Sequence, residues 1–202
     1  MPKRSNLAVQ RQRALPRQLR IIGGQWRRRL LPVPDRPGLR PTPDRVRETL
    51  FNWLGQDLAG WRVIDAFAGT GALGLEAASR GAAEVLLVEQ DAELAAGLVA
   101  LRERLGAQAV RVQRGDGVAA LQALAPASVD LVLLDPPFDA QQLVPLALAA
   151  AARAVRAGGF VYLEASRRWE QDALDALGLA LRRHLKAGAV HAHLLLRPMP
   201  GV

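Results

Sequence analysis

The residues Asp135-Pro136-Pro137-Phe138 follow directly after an apolar run, residues 129–134, and combine a carboxylate, two tertiary amides and an aromatic ring. The Asp135 carboxylate and the Pro136 carbonyl can accept both N–H bonds of an exocyclic amine on a flat base. Such contacts make the nitrogen more tetrahedral and direct its lone pair at an electrophile, so that positioning and electrostatics do most of the catalysis. We therefore predict a catalytic site at Asp135, Pro136, Pro137 and Phe138.

The tetrapeptide also has a purely structural interpretation, in which Pro-Pro ends a strand and Phe138 covers the core. In the functional interpretation, Phe138 stacks on the face of the base, an interaction worth roughly 1 to 3 kcal/mol in single-stranded recognition. A base paired in a helix would not reach this pocket, so the target must be flipped or unpaired.

A glycine-rich loop at residues 65–74 joins a predicted strand to a predicted helix. Gly69, Gly71 and Gly74 have the spacing of the dinucleotide-binding fingerprint, which is weak evidence by itself. The position at a strand-to-helix turn strengthens it, because glycine lets the backbone approach a ligand where a Cβ would collide. Tight packing alone is the other explanation for these glycines.

Three carboxylates at successive strand ends favour one ligand over another. Glu89 can accept hydrogen bonds from ribose hydroxyls, which NAD and S-adenosylmethionine share. Asp65 would repel a pyrophosphate but suits a ligand with an ammonium and a sulfonium. Asp116 can accept from an adenine amino group, or serve only as a helix N-cap. The set favours S-adenosylmethionine over NAD. The predicted cofactor-binding residues are Asp65, Phe67, Ala68, Gly69, Gly71, Glu89, Gln90, Asp116 and Gly117.

The elements that position these residues form a βα repeat from Trp61 onward, since short β-branched and leucine runs alternate with longer alanine-rich ones. We predict strands at 62–65, 84–89, 110–113, 129–134, 160–164, 179–185 and 190–196. Helices are predicted at 73–79, 92–105, 118–124, 141–156 and 168–177. The last two strands follow each other without a helix and should form an antiparallel hairpin.

The segment before the repeat is basic. Residues 1–47 contain thirteen Lys or Arg and two Asp, whereas the rest of the chain has more acidic than basic residues. This distribution predicts an anionic polymer as partner, although a solvated tail with the arginine bias of a GC-rich genome would look similar.

We divide the chain into a disordered basic tail at 1–19, an N-terminal extension at 20–56 and a main domain at 57–202. The extension should hold a hairpin-like element at 19–33 and a helix that ends at Trp53 or Leu54. Thr42 is the predicted N-cap of this helix, and Pro43 its first residue.

The composition argues against several classes of function. The chain has no cysteine, which excludes disulfides and thiolate metal sites. No apolar run approaches the roughly 18 residues of a membrane span, and no secretory signal is recognisable, so we expect a cytoplasmic protein with no membrane association. No metal-ligand spacing accompanies His184, His191 and His193, which we interpret as packing or surface residues.

With both motifs in place, the sequence resembles the RsmD family, which methylates N2 of one guanine in bacterial 16S ribosomal RNA. The resemblance extends from Arg20 to about Glu164. It includes the blocks at residues 20–26, 39–42, 44–54, 67–77 and 135–138. It implies a Rossmann-like class I S-adenosylmethionine-dependent methyltransferase fold: a seven-stranded, mostly parallel sheet with a C-terminal antiparallel hairpin, plus a small basic N-terminal extension.

The resemblance also implies partners and roles. The substrate would be 16S rRNA within a small-subunit ribosomal assembly, S-adenosylhomocysteine the product of the cofactor, and no metal would be needed. We expect a monomer. The residues expected to contact RNA are Arg27, Arg28, Arg29, Arg40 and Arg45.

Two other interpretations stay open. An adenine-N6 methyltransferase on RNA or DNA is one, because an Asp-Pro-Pro-aromatic motif serves adenine as well. Asp135 can also accept from guanine N1–H, which adenine lacks, and this leans toward guanine without deciding. A non-catalytic RNA-binding protein that retains the fold is the other.

Overall fold

The computed structural model describes residues 18–34, 36 and 42–199. Its centre is a seven-stranded sheet in the order β5-β4-β3-β6-β7-β9-β8. Strand β9 runs in the opposite direction to the other six strands. The strands are β3 Arg62–Asp65, β4 Glu84–Glu89, β5 Val110–Arg114, β6 Val129–Leu134, β7 Val155–Ala165, β8 Ala180–Ala187 and β9 Val190–Leu196. The predicted fold class, with its antiparallel C-terminal hairpin, is confirmed.

Helices cover both faces of the sheet. They are α1 Asp44–Leu54, α2 Ala72–Ser79, α3 Ala92–Leu105, α4 Gly117–Ala123, α5 Val144–Ala154 and α6 Gln171–Asp175. The central strands, such as β6, are mainly apolar on both sides, as expected for a parallel sheet that is covered twice. One core lies between the sheet and α1 to α3, and the other lies between the sheet and α4 to α6.

A two-stranded antiparallel hairpin precedes α1, with β1 at Gln18–Arg20 and β2 at Leu30–Pro32. Its connecting segment docks on the end of α2. The Ile22 and Gly23 N–H groups donate to the two carboxylate oxygens of Glu76, at 2.8 and 2.7 Å. Gly24 has φ +73°, and a Cβ there would lie 1.8 Å from the Ser79 carbonyl oxygen. The two glycines therefore allow the extension to sit directly on the main domain.

Two buried arginines complete this junction. Arg47 of α1 and Arg80 both reach the buried Glu76, at 3.4 and 2.8 Å. Arg47 also donates to the Arg20 carbonyl at 2.8 Å. Because a buried charge is tolerated only when paired and hydrogen-bonded, Glu76 holds three separate segments in one arrangement.

The start of α1 differs from the prediction. Thr42 is not the N-cap: the helix begins at Asp44, with Pro43 in the cap position at φ −56°, ψ 144° and no side-chain cap. The Thr42 hydroxyl instead donates to Asp135, 93 residues away in the chain. An N-cap hydroxyl would accept a hydrogen bond from a backbone N–H of the first helical turn, whereas the Thr42 hydroxyl donates to a distant carboxylate.

Several other helix and strand boundaries differ from the predicted ones. Residues 138–143 form a separate 3-10 helix and α5 begins only at Val144, because Pro145 lacks an N–H and suits a first helical turn. Helix α6 is shorter than the predicted 168–177, since the Trp169 N–H is bound to His193 at 3.1 Å. Strand β1 begins at Gln18, inside the predicted tail, because Leu19 is buried. Residues 1–17 and Arg40 lie outside the described residues.

Candidate active site

Three acidic residues meet where the central parallel strands end. Asp65 ends β3, Asp135 follows β6 and Glu164 lies near the end of β7. The register pairs Asp65 with Leu133, and Leu134 with Leu163, so the three strand ends are neighbours. In an open α/β sheet, ligands bind in the crevice outside these carboxyl ends.

Asp65 is buried and only partly satisfied. Its Oδ2 accepts the Gly74 N–H at 3.0 Å, while Oδ1 has no partner among the described residues. Burial raises the pKa of Asp65 to about 7, and the nearby carboxylates of Asp135 and Glu89 act in the same direction. A cationic ligand group would relieve both conditions.

The glycine loop is shaped by left-handed backbone at Gly69, φ +52°, and Gly71, φ +77°. The Gly69 N–H donates to Glu89 Oε2 at 2.7 Å, and the Asp91 N–H donates to Oε1 at 2.8 Å. A carboxylate offers about four acceptor positions, so Glu89 keeps capacity for ligand hydroxyls. Ala68 is buried, and its N–H donates to the Val88 carbonyl.

The loop after β5 forms the opposite wall. A Cβ at Gly117 would lie 1.9 Å from the Ala66 carbonyl oxygen and 3.3 Å from the Phe67 ring, so glycine lets the two loops touch. Asp116 is the N-cap of α4, with Oδ1 accepting the Ala119 N–H at 2.7 Å. Gln90 is exposed. The predicted cofactor residues thus line three successive strand ends, and Asp116 has a structural duty there as well.

Asp135 is the first residue of the predicted catalytic tetrapeptide and is half-buried. The Thr42 hydroxyl donates to its Oδ2 at 3.0 Å. Burial raises the pKa of Asp135 to about 6, while the Thr42 hydrogen bond lowers it. Pro136 is buried, whereas Pro137 and Phe138 are exposed. With 60% of its surface in solvent, the Phe138 ring is placed for stacking on a ligand, not for packing in the core.

The sequence analysis missed three residues beside Asp135, namely Thr42, Tyr162 and Glu164. The Tyr162 hydroxyl donates to Glu164 Oε1 at 2.8 Å. The pKa of Glu164 is raised to about 8, mainly by burial and also by the charge of Asp135. The position of Glu164 at the end of a predicted strand next to β6 was the available signal. No sequence pattern placed Thr42 beside Asp135.

The three histidines stack on the C-terminal hairpin, with ring centroids 5.0 to 6.4 Å apart. His193 is fully buried, and its pKa is lowered to about 4, mainly by burial. Among residues 18–34, 36 and 42–199, no cluster of three or more His, Cys, Asp or Glu is arranged to hold a metal ion. Within the same residues, no helix has the length and apolarity to cross a membrane.

Four of the five arginines that are predicted to contact RNA face solvent. Arg27, Arg28 and Arg29 are exposed in the connection between β1 and β2, and Arg45 is exposed on α1. A cavity of about 220 Å³ is bordered by Arg20, Arg27 and Arg28. A second one, of about 400 Å³, shares Arg20 and extends to Thr42. The second cavity thus reaches Thr42, whose hydroxyl donates to Asp135.

Comparisons with known proteins agree on one family. The model of the family described as Conserved hypothetical protein 95 matches residues 19–196. Ribosomal RNA small subunit methyltransferase D of Escherichia coli K12 is 51% identical over 121 residues, which are 60% of this chain and 61% of that protein. The protein of the same name from Haemophilus influenzae is 43% identical over 124 residues, 60% of this chain and 64% of its own length.

A solved structure, the putative methyltransferase yhhF from Escherichia coli, superposes with a TM-score of 0.76 at 35% identity, covering 90% of this chain and 98% of its own. The sequence matches are shorter, and they span only about three fifths of the length of the two curated relatives.

Proposed function

The chain belongs to the RsmD family, described by its model as Conserved hypothetical protein 95, and we propose that it transfers a methyl group from S-adenosylmethionine to the exocyclic N2 of a guanine in 16S ribosomal RNA. Relatives named as ribosomal RNA small subunit methyltransferases support this proposal. The observation that carries it is the placement of Asp135, with its half-buried carboxylate, beside the strand end that bears Asp65.

The residues around Asp65 fit S-adenosylmethionine. The buried Oδ1 of Asp65 lacks a partner and would accept from the ammonium of the methionine part. Glu89 would accept from the ribose hydroxyls, and Asp116 from the adenine amino group. Phe67, Ala68, Gly69, Gly71, Gln90 and Gly117 would line the same site. When bound, the cofactor supplies an electrophilic methyl group on a sulfonium.

Asp135 would act on the amine. Thr42 donates to Oδ2, and Oδ1 accepts no hydrogen bond from another described residue. Oδ1 would therefore accept one N–H of the base, while the Pro136 carbonyl would accept the second. Held by Asp135 and Pro136, the nitrogen would accept the methyl group that the cofactor supplies, and the cofactor would be left as the thioether. One N–H proton leaves to Asp135 or to water. Asp135 must be ionised at the start of this step, and its pKa of about 6 allows that at neutral pH.

The polymer would be held outside this pocket. Exposed Phe138 would stack on the flipped base, and the arginines of the basic turn, together with Arg45 and Arg40, would contact phosphates. The cavities between the basic turn and Thr42 offer an approach for the flanking strand. We propose a cytoplasmic monomer acting on a small-subunit particle. Adenine-N6 methylation remains the alternative activity, since the tetrapeptide would hold either amine.

Transfer of labelled methyl groups tests this proposal. Small-subunit particles from cells lacking the modification are incubated with the protein and labelled S-adenosylmethionine, and large-subunit particles serve as the control. We expect label in 16S rRNA only. Absence of label from both particles, or label in the large subunit, would overturn the proposed substrate.

A further inference from the structure

The hydroxyl of Thr42 is hydrogen-bonded to the Asp135 carboxylate. It donates to Oδ2 of Asp135 at 3.0 Å, and the same hydroxyl lowers the pKa of Glu164. We propose that Thr42 is a positioning residue for methyl transfer, which fixes the Asp135 carboxylate in the orientation that presents Oδ1 to the amine. This inference rests on the proposed function.

Thr42 is itself held firmly, as a positioning residue requires. It is buried, with 5% of its surface exposed. Its carbonyl accepts a hydrogen bond from Arg47 Nε at 3.3 Å, and Arg47 is fully buried and paired with Glu76. The position of the hydroxyl is therefore set by the junction between the extension and α2, not by a flexible loop.

The surroundings of Asp135 make this donor important. Three titratable groups face Asp135 from β3 and β7, namely Asp65, Glu164 and Tyr162. The charge of Asp135 raises the pKa of each of them. Among the described residues, no salt bridge reaches Asp135. Thr42 from the segment before α1 is the neighbour that favours the charged form of Asp135.

Removing this hydrogen bond should affect catalysis in a recognisable way. Thr42→Val keeps the side-chain shape but cannot donate. Because hydrogen bonds to charged groups are worth roughly ten- to hundredfold in an equilibrium, we expect kcat to fall by about 10- to 100-fold. The midpoint of the rise of kcat with pH should move to higher pH, since Asp135 loses the donor that favours its ionised form. The KM for S-adenosylmethionine should stay within about twofold, because the hydrogen bonds of Thr42 go to Asp135 and Arg47 and not to a predicted cofactor residue.

Matched variants separate positioning from folding. Thr42→Ser retains the hydroxyl and should restore most of kcat and the original pH midpoint. Thr49→Val makes the same substitution on α1, where the hydroxyl donates to the Arg45 carbonyl at 2.8 Å, and should leave both unchanged. If thermal melting shows that Thr42→Val is unfolded, Thr42→Ala, which adds no volume, is compared with Thr42→Ser instead.

The outcomes for the two proposals differ. One outcome is that the protein without substitutions methylates 16S rRNA and the folded Thr42→Val variant has the same kcat and pH midpoint. In that case the positioning role is wrong and the proposed function stands. A loss that Thr42→Ser fails to restore also overturns the role. If the unmodified protein transfers no methyl group to rRNA at all, the proposed function itself fails.

Discussion

The Gly74 N–H donates to Oδ2 of Asp65 at 3.0 Å, which ties the third glycine of the loop to the carboxylate that precedes it. A Cβ at Gly74 would lie 2.2 Å from Leu87 Cδ2 of β4 and 3.1 Å from Asp65 Oδ2, so another residue would require the Leu87 side chain or α2 to shift. The bond uses one oxygen of Asp65 and leaves Oδ1 buried without a partner among the described residues.

This arrangement predicts a pH dependence of cofactor binding. Asp65 is an acid whose pKa is raised to about 7, so it is largely protonated below that value and cannot attract an ammonium. Between pH 5.5 and 7, the affinity for S-adenosylhomocysteine should therefore rise with pH, by up to about tenfold per pH unit. Titration calorimetry in buffers of different ionisation enthalpy should show a proton released on binding at pH 6. Asp65→Asn should bind more weakly and without this dependence; an equally steep rise in that variant would refute the assignment.

Asp135→Asn should abolish turnover without abolishing cofactor binding. The amide keeps the volume of the carboxylate but loses its charge, and losing one aligned electrostatic partner typically lowers kcat by about 100- to 1,000-fold. Single-turnover methyl transfer and S-adenosylhomocysteine affinity are the two measurements. Asp139→Asn is the control, since Asp139 is exposed four residues later, and both quantities should be unchanged. Loss of binding together with residual turnover in Asp135→Asn would contradict the role.

Glu76→Gln should destabilise the protein strongly. Two buried arginines and two backbone N–H groups converge on this carboxylate, and removing one partner of a buried pair costs about 3 to 5 kcal/mol. Urea unfolding measures the change. Glu84→Gln is the control, because Glu84 forms an exposed pair with Arg62 that is worth about 1 kcal/mol or less. Similar losses in both variants would mean that Glu76 does not organise the junction.

Replacing Arg27, Arg28 and Arg29 by alanine should weaken RNA binding and flatten its salt dependence. If each contacts one phosphate of a single strand, the slope of log K against log salt should decrease by about 2. Arg111, Arg182 and Arg183 are exposed on the two edge strands, and their triple replacement gives a control with the same change in net charge. Equal effects of the two triple variants would indicate a general charge effect, not a docking surface.

The sequence predicted the sheet, its hairpin and the family, and these predictions are confirmed. They could be made because the period of the apolar residues, the glycine spacing and the carboxylates at strand ends are local patterns. Contacts between distant segments were not predictable in the same way. Thr42 looked like an N-cap, yet its hydroxyl binds Asp135, and the Trp169 N–H binds His193 where a helix was expected. Both depend on how segments pack in three dimensions. The cofactor and RNA residues stay predictions, with Arg40 outside the described part of the chain.

The identity of the methylated nucleoside tests the central claim most directly. Small-subunit particles methylated by this protein are digested to nucleosides, which are separated and analysed by mass spectrometry. The proposed placement of a guanine amine at Asp135 predicts N2-methylguanosine, formed by the unmodified protein and not by Asp135→Asn. N6-methyladenosine as the product would contradict it.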